Sequence, residues 1–272
     1  MKVKFLGTAA AEGWPALFCE CDSCERAKKL GGKNIRTRPS CLIDSKYMVD
    51  FCADTYMHKL MYDLKLSQME HLFVTHSHYD HFCPQEFEVR APGFAHIKDK
   101  KLLRVYGNNA VGKWYDYIIG DLHIEDSVVF KRIEPFKYFE AGNAGVMPLL
   151  ANHSSVEDCF MYIIEIDGRV LLYGHDSGYF GEQTWNEILK HRFDGVILDC
   201  TSGPSKQRDG HMGIITCGEI KDRLLGSHSA GEQTKFVITH FSHNINMMHN
   251  QLEKMAEPYN FIVAYDGFEI EI

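Results

Sequence analysis

The strongest constraint on this chain is one short motif, His76-Ser77-His78-Tyr79-Asp80-His81. It follows His71-Leu72-Phe73-Val74, an apolar run of the length of a buried strand, and precedes Pro84, which would break a helix. We therefore expect the motif on a loop after a strand. Imidazole and carboxylate groups are ligands of zinc, manganese and iron, and the pairs His76/His78 and Asp80/His81 can face two adjacent ions. Two ions about 3.5–4 Å apart can clamp the attacking and leaving oxygens of a hydrolysis.

Composition narrows the class of protein. The chain has 272 residues, of which 45% are hydrophobic and 24% charged, as in ordinary soluble globular proteins. No linker or charge run divides it, so we predict a single domain over residues 1–272. The net charge of −8 argues against a protein that coats nucleic acid. The chain contains no run of 18 apolar residues, so we predict no membrane span.

Cysteine usage adds a second candidate metal site. The chain has nine cysteines, an odd number, and its start does not resemble a signal peptide, so we expect reduced thiols and a cytoplasmic location. Three of them, Cys19, Cys21 and Cys24, lie within six positions. Three thiolates so close are typical of a tetrahedral zinc site that takes its fourth ligand from elsewhere. The alternative is that they are ordinary thiols. We expect the others to be small core residues: Cys41, Cys52, Cys83, Cys159, Cys200 and Cys217.

The order of elements predicts an α/β fold. Residues 41–44 and 47–50 form a predicted hairpin, and helical patterns cover 56–64, 110–119, 213–225 and 246–255. Predicted strands lie at 2–6, 71–74, 102–106, 128–136, 146–151, 160–166, 170–173, 195–200, 235–239, 261–265 and 268–272. Ligand-type residues recur just after these strands, first in the motif and then at His153, Asp176 and His240. One such histidine alone is more often an ordinary polar residue, but with the motif the set favours a metal site.

Together these residues resemble the metallo-β-lactamase superfamily, in which His-x-His-x-Asp-His is followed in order by a lone His, a lone Asp and a last His. The resemblance implies an αββα four-layer sandwich and a binuclear, metal-dependent hydrolase. It also implies that His76, His78 and His153 hold one divalent ion and that Asp80, His81 and His240 hold the other. Asp176 would bridge the two ions, which are zinc or manganese.

Within the superfamily, the cysteine cluster together with Thr239-His240-Phe241-Ser242-His243 resembles the cyclic phosphodiesterases that accompany the carbon-phosphorus lyase and act on phosphoribosyl cyclic phosphate. That resemblance implies a structural zinc held by Cys19, Cys21, Cys24 and His243. The chain departs from the family at Asp50-Phe51-Cys52-Ala53, where the family has Asp-Ala-Gly.

The implied activity is hydrolysis of a small, cyclic phosphodiester by a hydroxide that two metal ions activate. We expect Asp80, His211 and Asp199 to be the catalytic residues. His211 is the candidate proton donor to the leaving group, because histidine titrates near neutrality and related sequences have a histidine there. Asp199 could orient His211, and Asp266 could support a metal-bound histidine.

Several alternatives stay open at this stage. The chain could hydrolyse another ester, a lactone or a thioester, or could resemble the transfer-RNA 3′-end nucleases, although it has no long basic arm. A non-enzymatic metal-binding protein would lack a ligand, and none is missing. The expected partner is a small phosphorylated substrate, without membrane or nucleic acid; Arg36 and Arg38 are candidate phosphate contacts, and a homodimer is an open alternative. We expect His175 to be a neighbour and not a ligand, and the remaining histidines to be at the surface: His58, His96, His123 and His191.

Overall fold

Two seven-stranded mixed sheets form the centre of the computed structural model, which describes residues 1–99 and 101–272. The first sheet contains β1 (Lys2–Gly7), β2 (Ser40–Ile43), β3 (Tyr47–Val49), β4 (His71–Phe73), β5 (Leu103–Gly107) and β6 (Val128–Arg132). The second contains β7 (Phe139–Ala141), β8 (Ala144–Leu150), β9 (Phe160–Ile166), β10 (Arg169–Gly174), β11 (Gly195–Asp199), β12 (Lys235–Thr239) and β13 (Ile262–Val263). The last strand, β14 (Glu269–Glu271), returns to pair with β1.

Both sheets have the same internal plan. In the first, the pairs from β14 to β3 are antiparallel and those from β3 to β6 are parallel. In the second, the pairs from β7 to β10 are antiparallel and those from β10 to β13 are parallel. Parallel neighbours end at the same edge of a sheet, so this plan brings the loops after several strands together.

Six α-helices accompany the sheets: α1 (Asp22–Leu30), α2 (Thr55–Tyr62), α3 (Asn109–Ile119), α4 (Glu182–Ile188), α5 (Ile214–Gly226) and α6 (His249–Ala256). In β3, Tyr47 and Val49 point into the apolar layer between the sheets, whereas Met48 belongs to the layer under α3. A third apolar layer packs the second sheet against α1, α4, α5 and α6. Because successive strand side chains alternate between faces, sheets that are apolar on both sides need helices outside them. This arrangement confirms the predicted αββα sandwich.

Most predicted elements are present, and the differences have local causes. The hairpin is confirmed, since Cys41 pairs with Val49 across β2 and β3. Helix α1 was not predicted because it buries only Ser23, Cys24 and Ala27 and so lacks a long apolar stripe. The predicted strand 128–136 ends at Arg132, and the helix predicted from 246 begins at His249, because a 3-10 turn occupies His243–Ile245.

Six cysteines lie outside the cluster of Cys19, Cys21 and Cys24 and were predicted to be core residues. Five of them are buried as predicted, and Cys83 is half-buried. Among the described residues, no helix combines the length and the apolar character that a membrane crossing needs.

Candidate active site

The predicted ligand residues meet at one edge of the two sheets. The motif follows β4, His153 follows β8, Asp176 follows β10 and His240 follows β12. Asp199 is the last residue of β11, which lies between β10 and β12 in the sheet. Strand order thus places residues that are far apart in sequence within a few ångströms of one another.

The first group of nitrogen ligands is formed by His76, His78 and His153, whose ligand atoms all lie within 4.8 Å of one another. His76 Nε2 is 2.8 Å from His78 Nδ1, which is 3.3 Å from His153 Nε2. Burial is the main cause that holds the pKa of His76 well below its usual range. His76 is therefore neutral, which is the form that binds metal.

The second group contains Asp80, His81, Asp176 and His240, again with ligand atoms within 4.8 Å of one another. Asp176 Oδ2 lies 2.8 Å from His81 Nε2 and 3.3 Å from His76 Nε2, so this carboxylate reaches both groups. Burial alone would raise the pKa of Asp176, but His240 and His81 hold it well below its usual range.

The donor set fits divalent metal ions. The Nε2 atoms of His81 and His240 are buried and make no hydrogen bond to any residue that the structure describes. His81 Nε2 is close to Asp176 but is not aligned with it for a hydrogen bond. Buried polar atoms without partners are costly, and imidazole with carboxylate is a ligand set for zinc, manganese or iron.

Hydrogen bonds on the far side of the rings orient these histidines. Asp50 Oδ2 lies 2.7 Å from His81 Nδ1, and Thr201 Oγ1 lies 2.7 Å from His240 Nδ1. His153 Nδ1 lies 3.1 Å from the carbonyl oxygen of Gly210. Each contact fixes the tautomer that leaves Nε2 free for a metal ion. Sequence reasoning assigned no role to Asp50 or Thr201; the position of Asp50 at the end of a hairpin strand was the available signal.

Three of these residues have strained backbones. Asp50, Asp176 and His240 have φ values of 62°, 52° and 64°, in the left-handed region that non-glycine residues rarely occupy. Such strain persists only where the surroundings enforce it, and it concentrates at functional sites.

His211 and Asp199, the predicted proton donor and its orienting carboxylate, lie beside the second group. His211 Nδ1 is 2.8 Å from Asp199 Oδ2 and 3.1 Å from Asp176 Oδ1. Burial alone would lower the pKa of His211, but the Asp199 and Asp176 carboxylates raise it to about 11. Asp199 is itself fixed by the backbone N–H groups of Thr201 and Met212, each 3.0 Å from Oδ1.

One cavity of about 260 Å³ gives access to both groups. Its walls include the ligand residues His78, Asp80, His153, Asp176 and His240. The remaining walls are supplied by His211, Thr201, the segment Ala10 to Glu12, Ser242 and Asn244. The cavity therefore joins the ligand groups, the candidate proton donor and a polar wall.

The predicted zinc cluster is also assembled. Cys19, Cys21, Cys24 and His243 have ligand atoms within 4.8 Å of one another, and His243 Nδ1 is 3.5 Å from Cys21 Sγ and 3.8 Å from Cys19 Sγ. A backbone hydrogen bond from Cys24 and the His243 side chain lower the pKa of Cys21 to about 6, whereas burial raises that of Cys24 to about 12. Three sulfurs and one imidazole are a set that zinc accepts.

Two expectations from the sequence are wrong. Asp266 supports threonines and not a ligating histidine, because its carboxylate accepts hydrogen bonds from Thr8 Oγ1 at 2.7 Å and Thr37 Oγ1 at 2.6 Å. His58 is not at the surface; it is fully buried and lies 2.7 Å from Thr37 Oγ1.

Arg36 and Arg38, the candidate phosphate contacts, already bind other groups of the protein. Arg36 is buried and donates to Thr8 Oγ1 and the carbonyl of Ala264. Arg38 donates to Asp54 and to the carbonyl of Ala11. His175 lies near His81 and His240 and stacks on Tyr173; its assignment as a neighbour stays a prediction.

Comparison with known proteins identifies the class. The sequence profile of the Beta-lactamase superfamily domain matches residues 48–241, so the chain belongs to this superfamily. No curated protein sequence matches the chain. The chain has the metallo-β-lactamase fold.

Three solved structures that resemble the chain share little sequence with it. A diphosphatase from the PhnP family is 21% identical with a TM-score of 0.77, over 100% of this chain and 97% of that chain. Zinc-bound PqqB from Methylobacterium extorquens is 16% identical with a TM-score of 0.78, over 100% of both chains. The short form of human tRNase Z is 18% identical with a TM-score of 0.67, over 100% of this chain and 99% of that chain. At these identities the likeness shows the fold alone.

Proposed function

We propose that the protein is a metal-dependent phosphodiesterase that hydrolyses a small phosphodiester, with cyclic diesters as the first candidates. One observation carries the proposal: two ligand groups that share Asp176 line the same cavity as His211, which is paired with Asp199. A cavity of about 260 Å³ suits a small molecule better than a folded RNA.

The ligand residues have separate tasks in this proposal. His76, His78 and His153 would hold one divalent ion, and Asp80, His81 and His240 would hold the other, with Asp176 close to both sets of ligands. The chemistry that bound zinc or manganese would supply here is hydroxide near neutral pH and neutralisation of charge on the phosphoryl oxygens. The protein fixes the ligands through Asp50 and Thr201, so little reorganisation is needed when a substrate binds.

His211 is the proposed proton donor to the leaving oxygen. Its Nδ1–H is held by Asp199, so the opposite ring nitrogen is the one that exchanges a proton with the substrate. An alkoxide leaves poorly unless it is protonated, which makes a paired histidine in the cavity wall useful for a phosphodiester. Asp199 positions the ring and favours its protonated form.

The cysteine cluster has a structural task in the proposal. Cys19, Cys21, Cys24 and His243 would hold one zinc ion as a closed set of four ligands, and such an ion would have a structural and not a hydrolytic task.

The test is a substrate panel with the purified protein loaded separately with zinc and manganese. We expect turnover of bis(p-nitrophenyl) phosphate and of nucleoside 2′,3′-cyclic phosphates, and none after metal removal. A lactone, a thioester and an unstructured transfer-RNA 3′ trailer belong in the same panel. Turnover of one of these without turnover of any small phosphodiester would refute the proposal.

A further inference from the structure

One wall of the cavity is polar and carries a carboxylate. Glu12, Ser242 and Asn244 line the same cavity as the ligand groups. Ser242 Oγ lies 2.6 Å from Glu12 Oε1, and a carboxylate can only accept, so the Ser242 hydroxyl donates this bond. His243 Nε2 lies 3.7 Å from the same Glu12 oxygen, beyond hydrogen-bond distance.

This hydrogen bond fixes the orientation of the neighbouring amide. The single Ser242 hydrogen is used on Glu12, so Asn244 Nδ2 must be the donor in its 3.1 Å contact with Ser242 Oγ. Asn244 Oδ1 and Glu12 Oε2 are then acceptors without a hydrogen bond to any residue that the structure describes. Acceptors of this kind bind hydroxyl groups and repel a second anionic phosphate.

The rest of the cavity gives a second phosphate no counter-charge. Within residues 1–99 and 101–272, no lysine or arginine lines it. Arg36 is buried against Thr8 and Ala264, and Arg38 is bound to Asp54. Recognition of a terminal phosphate normally uses arginine or lysine, or a helix N-terminus.

Several carboxylates lie at or beside the cavity. Glu12, Asp80 and Asp176 line it, Asp50 contacts the ligand residue His81, and Asp199 contacts His211. A second phosphate would therefore be placed near like charges.

We infer that the site takes a phosphodiester whose single phosphoryl group is its only charge and whose organic part carries hydroxyl groups, with Glu12 as the residue that sets this specificity. The inference rests on the proposed function and narrows it. It favours a sugar or nucleoside phosphodiester over one with an additional phosphomonoester, such as phosphoribosyl cyclic phosphate.

A pair of matched substrates tests the inference. Adenosine 2′,3′-cyclic phosphate and its 5′-phosphorylated form differ only by the extra phosphate. We expect kcat/KM to be at least about tenfold higher for the form without it, since like charges placed together are unfavourable. Equal values, or a preference for the 5′-phosphorylated form, would overturn the inference.

Glu12→Gln is the specific variant, because glutamine keeps the size of the side chain and an acceptor for Ser242 but removes the charge. We expect this variant to reduce the kcat/KM preference for the substrate without the 5′-phosphate by a factor of about three or more. Glu125→Gln, at a carboxylate with 73% exposure outside the cavity, is the matched control and should leave the preference unchanged. An unchanged preference in Glu12→Gln would remove Glu12 from this role.

Calorimetry separates the inference from the proposed function. Binding of adenosine 3′-phosphate and adenosine 3′,5′-bisphosphate to the metal-loaded protein requires no turnover. We expect the monophosphate to bind more tightly, and tighter binding of the bisphosphate would refute the inference. Failure to hydrolyse any small phosphodiester of the panel would refute the phosphodiesterase proposal, while the binding comparison still decides the specificity of the cavity.

Discussion

His211 Nδ1 lies 2.8 Å from Asp199 Oδ2, and Asp199 is in turn held by two backbone N–H groups at the end of β11. Asp199 is fully buried and therefore cannot turn away to solvent. The pair thus has the geometry of a carboxylate that orients an imidazole and stabilises its protonated form.

The first prediction follows from this pair. His211→Ala should lower kcat by about 10²–10⁴-fold for diesters with an alkoxide leaving group, because these need a proton donor. The loss should be much smaller for bis(p-nitrophenyl) phosphate, whose leaving group is stable as an anion. Steady-state kinetics on both substrates, with metal content measured in parallel, check this. His123→Ala, at an 85% exposed side chain, is the control. Equal losses on both substrates would mean that His211 does not donate the proton.

The second prediction concerns Asp50, which supports a proposed ligand without reaching the cavity. Its carboxylate lies 2.7 Å from His81 Nδ1 and accepts from the backbone N–H of Thr75 at 2.8 Å. Asp50→Asn keeps the size of the side chain, and asparagine tolerates the positive φ, but the substitution weakens the hydrogen bond to His81. We expect metal affinity to fall about 10–100-fold, measured by competition with a chelator. Asp126→Ala at an exposed site is the control, and unchanged affinity in Asp50→Asn would exclude the supporting role.

The third prediction separates two histidines only three positions apart. His240→Ala should abolish turnover because it removes a proposed ligand of a catalytic ion. His243→Ala should mainly lower thermal stability and zinc content, because His243 faces the three cysteines. Kinetics, melting curves and metal analysis of both variants give the comparison. If both variants lost turnover equally while keeping the parent melting temperature, the division of roles would be wrong.

The sequence predicted where the candidate ligand residues would lie, because the motif and the strand ends depend on local patterns. His76 to His81 are neighbours along the chain, and an apolar run before each later candidate marks the end of a strand. The helices α2, α3 and α5 were also predicted within about two residues.

The supporting residues could not be predicted because their roles depend on long-range contacts. Asp50 meets His81 only after β3 and β4 pair, and Thr201 meets His240 only after β11 and β12 pair. The same reason explains the error at Asp266, which lies against Thr8 and Thr37 rather than beside a ligand. A polar residue after a strand indicates an edge of the sheet, but not which partner it will meet there.

The fourth prediction uses Asp266, which is half-buried and whose pKa is raised to about 6 from the ordinary value of 3.8 by desolvation of its carboxylate. Between these two values the folded protein binds more protons than the unfolded chain, so stability must fall as the pH rises. The contribution is fully present below about pH 4 and is lost as the pH rises through 6. From about pH 4 to pH 7 it amounts to roughly 2–3 kcal/mol of unfolding free energy.

Asp266→Asn removes this titration and provides the comparison. Urea unfolding of both proteins across this pH range should show the parent losing stability relative to the variant as the pH rises. Asparagine cannot accept every bond that Asp266 accepts, so the variant will have a constant penalty as well. The quantity to compare is therefore how the difference in unfolding free energy between the two proteins changes with pH. A difference that stayed constant with pH would contradict the raised pKa of Asp266.

The last prediction concerns the cysteine cluster and the part of the fold that it connects. Cys19 and Cys21 precede α1 and Cys24 lies in its first turn, whereas His243 lies in the turn after β12. Thiolates favour zinc over manganese, so this site should keep zinc when the other ligand groups are loaded with manganese. Cys21→Ser should remove about one zinc equivalent per chain and lower the melting temperature.

Other contacts limit how much of the fold should depend on the zinc ion. Backbone hydrogen bonds from Phe241 N to Thr8 O at 2.9 Å and from Ala10 N to Phe241 O at 3.1 Å join the same two regions without any metal. Loss of zinc should therefore loosen α1 and the loop before it while the two sheets stay folded, which hydrogen exchange can resolve. Cys83→Ser, at a half-buried cysteine outside the cluster, is the matched control and should keep its zinc. If Cys21→Ser kept the parent zinc content and melting temperature, the three cysteines would be ordinary thiols and the contact with His243 would have another cause.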